Sequence, residues 1–188
     1  MKTRIFILII AVTIVCISLS CRSTIQRSDY QAFVQSQSNY EPNITNAKLG
    51  IIQFDCIVPF IGETISQNVK AALGDTGLTM FDTLEMTLQL NKSGINLEYL
   101  LKNKFYSQIM EAADLDYLLI GDVQIYSPRR KKIISVSAIM LDNKGDIVVK
   151  VRFEPPDRHW TMPIIGKVIA NEIKREFNLP HEDEIKIN

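Results

Sequence analysis

The chain has 188 residues, 46% hydrophobic and 22% charged, and its 21 basic and 21 acidic side chains cancel to a net charge of zero. That length suits one domain with a core of its own, and the balanced charge leaves no electrostatic basis for nucleic-acid binding, which calls for a basic stripe. Three cysteines (Cys16, Cys21, Cys56) and two histidines (His159, His181) supply no disulfide framework, thiolate metal site or HxxxH spacing, and there is no glycine-rich phosphate loop or nucleophile elbow, so neither a cofactor nor catalysis is expected.

The first element reads as a targeting segment. Lys2 and Arg4 lead a mainly apolar run over residues 5–19, shorter than the ~20 residues that a membrane-spanning helix needs. Ser20 before Cys21 then marks a cleavage site. The arrangement resembles that of bacterial lipoproteins, which implies a signal peptide over residues 1–20, diacylglycerol on the Cys21 thiol and an acyl group on its freed amine. The box is a loose one: Ser18 stands where an aliphatic residue is usual, with Leu19 one step later. Acyl chains buried at ~0.8 kcal/mol per CH₂ would hold the domain on a membrane without a spanning helix. Removing residues 1–20 takes away Lys2 and Arg4 and leaves 19 basic against 21 acidic side chains, a net charge of −2. The expected location is the bacterial envelope, at the periplasmic face of the outer membrane.

Residues 21–46 are rich in Ser, Gln and Asn and read as the lipidated cysteine followed by a flexible tether, with a root-mean-square span of roughly 25–30 Å. Tyr30, Phe33, Val34 and Tyr40 interrupt its polarity as side chains that could dock on the domain or on a neighbouring copy. The domain proper is expected over residues 47–179. A buried strand over 49–54 leads to a helix with Ile65, Val69, Ala72 and Leu73 on one face, stopped by Gly74 and Gly77. A short strand over 78–81 follows. Asp82 and Glu85 then form a capping box for a short helix through Leu84 and Leu88. Leu97, Leu100, Leu101, Phe105 and Ile109 predict one long helix.

Residues 117–125 read as a strand, turned at Ser127-Pro128. Ile134, Val136, Ala138 and Met140 alternate with serines, and after Asn143-Lys144-Gly145 so do Ile147, Val149, Val151 and Phe153 with Lys150 and Arg152. Short turns between these three strands predict antiparallel pairing. A helix from about 161 to 177 carries Ile165, Val168, Ile169, Ile173 and Phe177 on one face, and residues 180–188 form a charged tail. The fold expected is α/β: a mixed sheet of about five strands flanked by about four helices, with three consecutive antiparallel strands in the second half.

The first strand, the short strand leading into Asp82-Thr83-Leu84, the stretch Ala112-Ala113-Asp114-Leu115-Asp116-Tyr117-Leu118-Leu119-Ile120-Gly121-Asp122-Val123 and the turn Asp142-Asn143-Lys144-Gly145-Asp146-Ile147 together resemble the curli secretion channel (CsgG-like) family and its relatives. These include penicillin-binding-protein activator lipoproteins and the amino-terminal domain of TolB. The resemblance covers roughly residues 47–153 and implies a small periplasmic α/β domain. It departs at one point: between Ile125 and Ile133 there is no length for membrane-spanning strands of ~9–11 residues, so a pore is not expected.

Two surfaces are candidates for partner binding. Arg129, Arg130, Lys131 and Lys132 put four positive charges at one hairpin tip, able to meet anionic lipid or an acidic partner. Arg158 lies two residues before Trp160, the only tryptophan, in a pairing common at interaction hot spots. Asp55, Glu111, Asp114 and Asp116 are more simply solvated turn carboxylates than a catalytic pair. The function expected is that of a membrane-anchored, non-catalytic, protein-binding accessory in envelope assembly, secretion or peptidoglycan-synthesis regulation. Its partners would be envelope proteins or further copies of itself; the alternatives are a ring subunit of a curli-like apparatus and an exported hydrolase.

Overall fold

The structure is a computed structural model that describes residues 24–26, 28, 30, 32–36, 44, 46–129, 132–156, 160–182 and 184–186. The expected signal peptide, Cys21, Arg130, Lys131 and Arg158 lie outside the described residues. The strands are β1 Thr24–Gln26, β2 Ala32–Ser36, β3 Lys48–Ile51, β4 Thr79–Asp82, β5 Tyr117–Ile125, β6 Ile133–Asp142, β7 Ile147–Phe153 and β8 Glu184–Lys186. The helices are α1 Pro59–Ala72, α2 Thr83–Lys92, α3 Leu97–Lys102, α4 Tyr106–Ala113 and α5 Met162–Glu176.

The expected α/β fold is present as a mixed six-stranded sheet in the order β2-β7-β6-β5-β3-β4, with a separate ribbon of β1 and β8. β3 runs parallel to both β4 and β5, as it must when helices carry the crossovers, while the short turns after β5 and β6 give antiparallel neighbours. Alternation along β5 divides the interior into two cores. Tyr117, Leu119 and Val123 join Ile65 and Val69 of α1 and Val168, Ile169 and Ile173 of α5 on one face, while Leu118 joins Met86, Leu90, Ile109 and Met110 under α2 and α4 on the other. The capping box of α2 is formed as expected: Asp82 accepts from the Glu85 N–H at 2.9 Å, and Glu85 accepts from the Asp82 N–H at 2.7 Å.

Three expectations differ in detail. The long helix through residues 97–109 is two helices, because the Lys104 N–H turns back to the Leu101 carbonyl and the Phe105 N–H to that of Leu100, with Lys104 left-handed at φ 57°. This is a Schellman ending with lysine in the place usually taken by glycine. Secondly, residues 24–26 and 32–36 pair as strands instead of extending as tether. β2 adds five register pairs to β7, with Ala32 and Val34 packed on the main core and Phe33 and Gln35 exposed. Tyr30 is buried, stacks edge-on against Phe153 and Trp160 at 5.7 Å each, and donates its hydroxyl to Glu172 Oε1 at 3.0 Å. Thirdly, the tail contains β8, whose Ile185 is buried opposite Ile25. The strand total therefore exceeds the expected five.

Candidate functional site

The carboxyl end of the parallel strands is built by a second meeting of β3's continuation with β5. Beyond Ile51 the chain leaves the sheet and returns at Asp55, whose N–H donates to the Gly121 carbonyl at 2.8 Å while its own carbonyl accepts from the Val123 N–H at 2.8 Å. The side chains after that bridge, Cys56 and Ile57, then face the end of β5. On the other side β6 enters with a bulge: Gln124 pairs with Ser135 and Ile125 with Ile133, so Ile134 has no partner in the register. Bulges re-aim side chains at sheet ends. Asp55, Ile57, Asp122, Ile125 and Ile134 line an open depression of about 420 Å³.

This end of the molecule is unusually apolar for a surface. Ile57 is 74% exposed, Ile134 46% and Tyr126 64%, and Phe60, three residues after Ile57 in the first turn of α1, is 63% exposed. The Tyr126 N–H donates to the Lys132 carbonyl at 2.8 Å and closes the β5–β6 hairpin, whose tip bears the exposed Arg129 and Lys132. The basic tip thus lies in the chain between Ile125 and Ile134, both of which line the depression. Apolar area ringed by charge is the composition of a protein-binding surface.

Asp122 sits across the bridge from Asp55. Burial, and then the Asp55 charge, push its carboxyl above the ordinary aspartate range. The folded protein therefore binds this proton more tightly than the unfolded chain, and stability from this group falls as pH rises through the raised pKa. Asp122→Asn is expected to raise Tm slightly at pH 7, with the gain shrinking as the pH falls through the raised pKa and vanishing below the ordinary aspartate pKa of about 3.9; paired thermal melts check it.

A second cleft of about 310 Å³ lies between α1 and α2. Within it Lys70 Nζ donates to Asp82 at 2.9 Å and to Glu85 at 2.8 Å. Partial burial pushes the Lys70 ammonium down, but the hydrogen bonds to Glu85 and Asp82 outweigh it and leave it above its ordinary value. The triad clamps α1 to the start of α2. Cys56 is a free, half-buried thiol, and among the described residues no three His, Cys, Asp or Glu side chains stand where they could hold a metal ion.

Of the residues singled out in the sequence, Arg129 and Lys132 are exposed at the tip and Trp160 is half-buried. The Trp160 ring packs on Phe153 at 5.1 Å as well as on Tyr30, so it carries structural weight alongside any contact role. Ile57, Phe60, Tyr126 and Ile134 escaped the sequence reading. The one signal for them is position: Phe60 falls off the Ile61, Ile65, Val69 stripe of α1, and Ile57 lies before the helix begins at Pro59.

No protein-family model matches the chain, and no curated protein matches it. Among solved structures it is similar to the PelC dodecamer subunit from Paraburkholderia phytofirmans, with 10% identity, a TM-score of 0.50 and coverage of 80% of this chain and 100% of the other. Lipoprotein GNA1162 from Neisseria meningitidis matches at 11% identity over 69% of this chain and 95% of the other, with a TM-score of 0.45. The C-terminal domain of LpoB from Salmonella enterica matches at 11% identity over 58% and 83%, with a TM-score of 0.40. At such identities the PelC likeness speaks for a shared fold alone, and the two weaker matches add nothing to it. Among the described residues no helix is long and apolar enough to cross a membrane.

Proposed function

We propose that this chain is an envelope lipoprotein, anchored through Cys21 after loss of residues 1–20, that acts as a non-catalytic protein-binding accessory in envelope assembly, secretion or peptidoglycan-synthesis regulation. The observation that carries the binding role is the exposure of Ile57, Phe60, Tyr126 and Ile134, of which Ile57 and Ile134 line an open depression at the end of the β5–β6 hairpin that bears Arg129 and Lys132. Large exposed apolar side chains cost solubility and are retained where a partner covers them. The charged start, the apolar run over residues 5–19 and Ser20-Cys21 support the anchor and the periplasmic location. Trp160 and Arg158 supply a secondary contact in this reading.

A second reading has one observation in its favour. The fold is shared with a protein that assembles as a dodecamer, so the same surface would meet another copy of this chain. Cross-linking in envelopes followed by affinity capture separates the two. Substituting Arg129→Glu together with Lys132→Glu, and separately Ile57→Ser with Ile134→Ser, should lower recovery of the partner at least several-fold while circular dichroism stays unchanged. If the species lost is a multimer of this chain, the second reading holds; if every captured protein and multimer persists in both variants, the surface is wrong. Cys21→Ala should abolish labelling by fatty acid and release the protein from membranes.

A further inference from the structure

The anchor and the fold meet at the β1–β8 ribbon. β1 begins at Thr24, three residues after Cys21, and pairs antiparallel with β8 so that residue 24 lies opposite 186 and residue 26 opposite 184. The ribbon is part of the domain. Ile25 and Ile185 are buried in the main core, and the Asn171 side-chain amide of α5 donates to the Glu182 carbonyl at 3.1 Å where the chain enters β8. This outer layer explains why α5 is buried on nearly every side, including Ala170, Asn171 and Lys174.

Building on the lipoprotein reading, we propose that the β1–β8 ribbon seats the domain directly on the bilayer, with β1 and β8 together at the lipid surface. Three residues reach about 10 Å when fully extended. A lipid on Cys21 therefore holds the ribbon within about 10 Å of the headgroups, where a free tether to residue 46 would allow several times that height. A domain of this size is about 40 Å across, so no part of it stands more than about 50 Å from the lipid. Contact with the partner accordingly takes place within about 50 Å of the lipid, a height that suits a protein embedded in or anchored to the same membrane.

Trp160 reports the height. It touches Tyr30, whose hydroxyl is bonded to Glu172, the residue after Asn171 that holds the entry to β8. The full-length lipidated protein is reconstituted in vesicles of phosphatidylethanolamine and phosphatidylglycerol carrying a dansyl-labelled lipid, and energy transfer from Trp160 is measured. The wild type should transfer efficiently. Inserting 20 Gly/Ser residues between Ser23 and Thr24 leaves the ribbon intact and adds a span of roughly 25 Å, and transfer should fall several-fold. Ile185→Asp should lower transfer as well, by less than the insertion, because opening the ribbon frees only the chain up to the buried Tyr30; removal of residues 183–188 substitutes for it if circular dichroism shows that the point variant unfolds. Equal transfer in the wild type and the insertion variant, with fatty acid present on both, would overturn the seat while leaving the lipoprotein reading standing. A wild type that takes up no fatty acid and does not bind the vesicles would overturn both.

Discussion

Gly62→Ala will leave little folded protein at 37 °C. A methyl group at residue 62 would sit 1.9 Å from the Phe54 carbonyl oxygen, a backbone atom that no rotamer change can move. Relief requires the first turn of α1 to lift off the segment after β3, and that segment also carries the Phe54 ring over Gly121, where an added Cβ would lie 2.5 Å from ring carbons. Overpacking of this kind costs 1–3 kcal/mol in ordinary cores and more where backbone must shift, against a total stability of roughly 5–15 kcal/mol. The soluble fraction on expression and the urea midpoint measure the effect. Gly121 offers a sharper version of the test. Phe54→Ala alone should cost about 3–5 kcal/mol, Gly121→Ala alone about 1–3 kcal/mol, and the double variant much less than their sum, because each removes what the other clashes with or leaves empty. Additive losses would mean that the ring does not lie over residue 121.

The same two residues show how much of this fold is legible in the sequence. Alternation identified β6, β7 and the far half of β5, and the apolar stripes identified α1 and α5, because those elements are long enough for period to outweigh composition, while β3 and the start of β5 were legible as continuous apolar runs. A glycine inside a strand pattern marks a close approach, and at Gly121 it is the Phe54 ring that approaches. The errors have local causes. Ile134 belongs by alternation with Val136, Ala138 and Met140, yet a bulge shifts the register beside Gln124 and turns it to the surface. Ile147 is exposed for the same reason, since the register slips at Leu141 and buries Val148 instead. A bulge carries no composition signal. The basic tip was legible as charge, but its apolar neighbours were not, because exposure of Ile57 or Phe60 depends on what packs beside them. β1 and β8 are each three residues long, below the length at which periodicity says anything.

Deleting residues 1–46, which reading this stretch as a free tether would permit, is expected to prevent stable folding. The deletion removes β2 and strips the β7 backbone of its partner, leaving a raw edge that invites aggregation. It also removes Tyr30 from between Phe153 and Trp160 and leaves Glu172, a buried carboxylate, without the hydroxyl that donates to it. Loss of a buried aromatic side chain costs about 3–5 kcal/mol on its own. β8 loses β1, its strand partner in the ribbon. These losses together approach the whole stability of an ordinary domain, so residues 47–188 should show no cooperative unfolding transition and weak near-ultraviolet circular dichroism. Tyr30→Ala in the full-length chain isolates one contribution, with Tm lower by about 10 °C, and Tyr30→Phe should recover most of that loss, because the ring stays and one hydrogen bond goes. If residues 47–188 melt at the full-length temperature, the amino-terminal strands add nothing to the fold. The domain would then hang on a tether of about 25 residues, and its reach from the membrane would be set by chain length alone.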